Sequence, residues 1–249
     1  MPARKSLFIK SQGPDKTSVK KAFSWLVQNS KPRGFIAIHG YGNLDGVIRN
    51  VIGDAATKAL RSQGRLADSK TEILLVTQNK LIYDAQNSPL VAFFPSAKLL
   101  DQLDSIENVS AMLVVPYRLS EVEPWIRTWN ATELGQAEKP EQPLVSNKVV
   151  EEALKSLTGR VNVSTGIVHP SDRSAAIQMF EILRDAGETF TPEEVKAWLT
   201  AKGGWKATYA QEVADVARKI LEGRKLKSEG QAWADNILDQ WRESARSTS

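Results

Sequence analysis

Residues 35–38, 73–76, 90–94 and 112–115 form four short runs that are apolar at every position. A strand with one wet face alternates apolar and polar side chains, so a run without alternation is covered on both faces. Between these runs lie helical periods. Leu44, Val47, Ile48, Val51, Ile52, Ala55, Ala59 and Leu60 recur at the spacing of a helix packed on a sheet. Shorter helices are expected at residues 18–28, with Val19, Phe23, Leu26 and Val27 inward, and at 97–103 and 121–129. With an edge strand near residues 6–9, the pattern predicts a Rossmann-like three-layer α/β domain, its parallel sheet carrying about four to five strands.

That rhythm stops near residue 131. Residues 132–143 are polar, carry Pro140 and Pro143, and show no apolar period, which reads as a linker. The expected division is an α/β domain over 1–131, a linker over 132–146 and an all-α domain over 147–246. Helices are expected near 147–157, 173–185, 192–201, 207–221 and 230–244. Ser171 or Asp172 and Thr191 stand where caps belong, and Pro192 falls in a first turn. Trp233, Ile237 and Trp241, at i, i+4 and i+8, would dock the last helix on the bundle.

In an open parallel sheet, ligands bind beyond the carboxyl ends of the strands. The first apolar run enters His39-Gly-Tyr-Gly-Asn-Leu-Asp-Gly46, a glycine-rich turn ahead of a helix. Gly40, Gly42 and Gly46 are spaced one residue wider than the dinucleotide fingerprint, and no acid ends the next strand to hold a ribose. Candidate ligand-binding residues are Gly40, Tyr41, Gly42, Asn43, Asp45, Gly46, Thr77, Asn79, Ser96 and Tyr117, all at or after strand ends. Ser96 begins a helix and reads first as an N-cap. A hydrolase arrangement of Ser96 and His39 oriented by Asp45 is the catalytic alternative, and whether any reaction occurs stays open. Asn43 or Asp45 reads equally as a helix cap.

The two histidines, His39 and His169, fall in different halves without metal-ligand spacing, and there is no cysteine, so no metal site is expected. No phosphate loop or nucleophile elbow occurs, and no cofactor is specified. The net charge is +4, and residues 1–33 carry eight basic residues against Asp15 alone. That segment, with a trihelical unit over 176–221, is the basis for a nucleic-acid reading. Against it, residues 139–249 hold 16 basic and 16 acidic side chains, so the electrostatic attraction that dominates DNA affinity is absent there. A scaffold role is a third reading. Apolar runs of four or five residues fall far short of the ~20 of a membrane helix, and no signal peptide is evident, so a cytoplasmic protein with no membrane partner is expected. The leading expectation is recognition of a small anionic or nucleotide-like ligand at the strand ends.

Overall fold

The computed structural model describes residues 4–11, 13–67 and 71–247, which form two compact units, Met1–Pro140 and Glu141–Ser249. The first is built on a seven-stranded sheet: β1 (Lys5–Phe8), β2 (Arg33–Ile38), β3 (Arg65–Ala67), β4 (Glu72–Thr77), β5 (Asp84–Phe93), β6 (Glu107–Val115) and β7 (Thr132–Glu133). The spatial order is β3-β4-β2-β5-β6-β1-β7, and every pairing is parallel except β3 with β4. The four apolar runs become the four central strands, each buried on both sides. The two strands beyond the expected five are short edge pieces, three and two residues long. They carry too few residues to show a period. β7 takes Thr132 and Glu133 out of the expected linker and pairs them with Leu7 and Phe8.

Two helix layers cover the sheet. On one face lie α1 (Lys16–Asn29), α2 (Val47–Ile52) and α3 (Asp54–Gln63), packing Val19, Leu26, Ile48 and Leu60 against Ile36, Ile38, Val91 and Leu113. On the other, α4 (Ala97–Leu103) and α5 (Glu123–Thr128) pack Leu99, Leu103 and Trp125 against Phe35, Ala37, Leu90 and Val114. Alternate residues of β2 thus serve opposite cores, as the pleat requires. The helix expected through residue 60 is two helices, because Gly53 sits at φ 84, ψ 168, a conformation that breaks the turn. Val27, expected inward on α1, is 53% exposed. From β4 to β5 the chain crosses without a helix. Residues 78–83 make the passage, Ile82 packs on the α4/α5 face, and although β5 pairs with β6 from Asp84, its pairing with β2 begins only at Leu90.

The second unit is wholly helical: α6 (Lys148–Arg160), α7 (Pro170–Asp185), α8 (Pro192–Ala201), α9 (Ala207–Leu221) and α10 (Ile237–Ser247). Its core includes Leu154, Ile177, Phe180, Leu199, Val213 and Trp241. Four indoles enter that core with their N–H groups satisfied. Trp198 donates to Glu151, Trp205 to Thr158, Trp233 to the Ala175 carbonyl and Trp241 to Ser156. The last helix begins at Ile237, seven residues later than expected, so Trp233 precedes it. Trp233 meets Trp241 edge-on, ring centroids 5.5 Å apart, from an irregular segment. α7 is capped by His169, whose Nδ1 accepts from the Ser171 amide at 3.3 Å, where Ser171 or Asp172 was expected. α8 has a reciprocal cap: Thr191 Oγ1 accepts from the Glu194 amide, and Glu194 Oε2 accepts from the Thr191 amide.

Candidate functional site

The strand order reverses direction between β2 and β5. After β2 the chain turns toward β4 through α2 and α3; after β5 it turns toward β6 through α4 on the opposite face. Two adjacent strands whose exits diverge leave a crevice between their carboxyl ends. A cavity of 540 Å³ occupies that place. His39 and Asn43 line it from the β2 exit, and Phe94, Pro95, Ser96 and Ala97 from the β5 exit. Glu121 closes it from a short 3₁₀ turn (Leu119–Glu121) that follows β6.

His39, Asn43 and Ser96 are therefore brought together, across 57 residues of sequence between first and last. The others are placed differently. Asn43 accepts from the Gly40 amide at 3.2 Å while its own amide donates to the Gly40 carbonyl at 2.9 Å, closing a 3₁₀ turn (Tyr41–Leu44). Neither Gly40 nor Gly42 has a left-handed φ, and a Cβ at either would meet open space. Gly46, at φ 71 and ψ −124, is the glycine this turn demands; it starts α2 with no side-chain cap, so neither Asn43 nor Asp45 caps that helix. Tyr41 is exposed beside the mouth, and its carbonyl accepts from Arg61.

Asp45 pairs with Arg61 at 2.9 Å, not with His39. The Ser96 hydroxyl accepts from the Leu99 amide at 3.2 Å and so acts as the N-cap of α4. The Ser96–His39–Asp45 arrangement is thus not assembled. Thr77 is buried and closes a tight turn with Lys80, so Asn79 sits at the turn's tip away from the cavity lining. Tyr117 contacts the site indirectly, edge-on to Phe94 with ring centroids 6.3 Å apart. Among the described residues no three His, Asp or Glu side chains converge as a metal would need.

The sequence reading passed over Phe94, Gln78 and Glu121. Phe94 holds φ 49, in a region that a side-chain-bearing residue occupies at a cost of about 1–3 kcal/mol. It does so immediately before Pro95, where backbone is driven toward extended conformations. Its amide is fixed to the Val115 carbonyl at 2.8 Å, and its ring lies against Phe93 and Tyr117. The dipeptide Phe94-Pro95 at a strand end was the available signal. Gln78 donates its amide to the His39 carbonyl at 3.4 Å, and its Oε1 is buried without a partner among the described residues. Glu121 arrives from β6, a neighbour that no sequence period reveals.

Residues 146–242 match a family model described as a domain of unknown function (DUF1889), a span inside the helical unit and less than half of the chain. The crystal structure of a protein from Salmonella typhimurium is similar over 40% of this chain and 98% of its own, with 26% identity and a TM-score of 0.35. No curated protein matches the chain. Among the described residues no helix is long and apolar enough to cross a membrane.

Proposed function

We propose that the crevice between β2 and β5 recognises a small nucleotide-like ligand. The observation that carries this reading is the strained Phe94, held at φ 49 on the wall of a cavity that lies where the strand order reverses. Strain of that size persists where surrounding structure enforces it, and it concentrates at ligand sites. The lining narrows the ligand's chemistry. Glu121 presents a carboxylate, which accepts hydrogen bonds from sugar hydroxyls and repels a bare inorganic anion. Phe94 and His39 add flat faces suited to a ring.

A thermal-shift comparison of nucleosides, nucleotides and inorganic phosphate tests the reading. At least one nucleoside or nucleotide should raise the midpoint, by an amount equivalent to about 2.7 kcal/mol at a hundredfold excess over Kd, while inorganic phosphate should not. Ala97→Trp fills the cavity from an exposed position and should abolish the shift with little change in the unliganded midpoint. If the panel leaves the wild type unmoved, or if Ala97→Trp responds as the wild type does, the crevice is not the site.

A further inference from the structure

We propose that the first unit holds a second ligand site, on its α1 face, that takes a linear aliphatic carboxylate. Helix α1 displays two parallel rows toward a cavity of 670 Å³. Lys20, Ser24 and Gln28 form the polar row, and Phe23 and Val27 the apolar one, each at the i, i+4 spacing that aligns side chains along a helix. The facing wall is Val51, Ile52 and Ala56, and the floor is Leu66 and Ile73. Val27 is the residue whose spacing called for burial; it stands 53% exposed, and no described residue of this unit fills the trough beside it.

The trough sits apart from the crevice. Ile73 pairs with Gly34 near the amino ends of β4 and β2, whereas the crevice lies beyond their carboxyl ends. Its volume falls in the range of about 300–1,000 Å³ usual for small-molecule sites. Among the described residues, Lys20 is the only charged side chain lining it, no carboxylate lines it, and the Lys20 ammonium has no hydrogen-bond or ion-pair partner. The complement of an apolar trough with one cation is an apolar chain carrying one negative charge. A sugar or base would leave polar groups unpaired against Val51 and Ile52, and a basic peptide would meet Lys20. From Lys20 to Gln28 the wall runs about 12 Å at 1.5 Å per residue, which sets the length of chain accommodated.

Calorimetric titration of the full chain with decanoate, below its micellar concentration, and with uncharged decanol tests the site. Saturable one-site binding of decanoate is expected. Lys20→Met keeps the aliphatic stem and should weaken decanoate by roughly tenfold or more, the worth of a charge-assisted hydrogen bond, while leaving decanol unchanged. Val27→Asp should weaken both ligands, and because Val27 is half exposed the variant should melt like the wild type. The proposal is overturned if decanoate gives no saturable heat, if neither substitution alters it, or if the protein binds phosphatidylglycerol vesicles but not free decanoate. Neither substitution touches the crevice, so this outcome and that of the nucleotide comparison are read separately.

Discussion

Asp104 joins three distant parts of the first unit. Its Oδ1 accepts from Arg4 at 2.7 Å and from the Trp125 indole at 3.1 Å, and its Oδ2 accepts from the Trp129 indole at 3.0 Å. The Arg4 guanidinium lies 4.4 Å from the centroid of Trp129, so one ring face and one carboxylate serve the same cation. Side-chain exposure is 10% for Arg4 and 5% for Asp104, and Arg4 Nε has no hydrogen-bond partner among the described residues. Losing the carboxylate would therefore strand a desolvated charge. Asp104→Ala should cost about 3–5 kcal/mol in urea unfolding, and Asp104→Asn, whose single oxygen still accepts from one side of the cluster, distinctly less. Equal and small losses from both would show that the cation reaches water on its own.

Helix ends give the second scale its chemistry. Asp15 caps α1: Oδ1 accepts from the Ser18 amide at 2.7 Å and Oδ2 from the Ser11 hydroxyl at 3.0 Å. Burial pushes its pKa up, but the combined bonds from Ser18, Ser11 and Thr17 outweigh burial and hold it below the ordinary 3.8. A lowered folded pKa means stability that is present above the unfolded value and disappears as pH falls through the folded one. The stability gap between wild type and Asp15→Asn should thus be flat near neutrality and close below pH 3.8. A gap that persists in stronger acid would assign the cap's worth to geometry alone. This scale also separates what the residues disclosed from what they did not. α8 has the expected bounds because a proline, a cap and a period agree there, and α9, which has neither proline nor side-chain cap at its start, because its apolar period does. The central strands were legible for a similar reason, since four unbroken apolar runs admit little else. Glycines were less informative: Gly40, Gly42 and Gly46 look alike in sequence, and only Gly46 has a φ that requires glycine. Trp233 kept helical spacing with Trp241 while lying outside the helix, since ring packing needs proximity and not a shared helix. Of the candidate site, His39, Asn43 and Ser96 converge, but Glu121 and the strained Phe94 depend on strand order, which periodicity does not encode.

At the scale of the whole molecule, each unit owns its core, and an exposed run from residue 135 to 143 joins them. Limited proteolysis should cut first within that run and release two fragments that keep their secondary structure. Circular dichroism of the separated pieces checks this; a helical fragment that unfolds on release would show that its core is incomplete alone. Within the first unit, the sheet's borders have a different consequence. The longer strands that carry the apolar runs sit at the centre, while β3 and β7, three and two residues long, form the margins. A margin that short offers an incoming chain very few backbone partners, and β3 carries the exposed Arg65. The polymer-forming potential of the most apolar segments in the chain is thereby enclosed, and edge-to-edge fibre growth has no template from which to start.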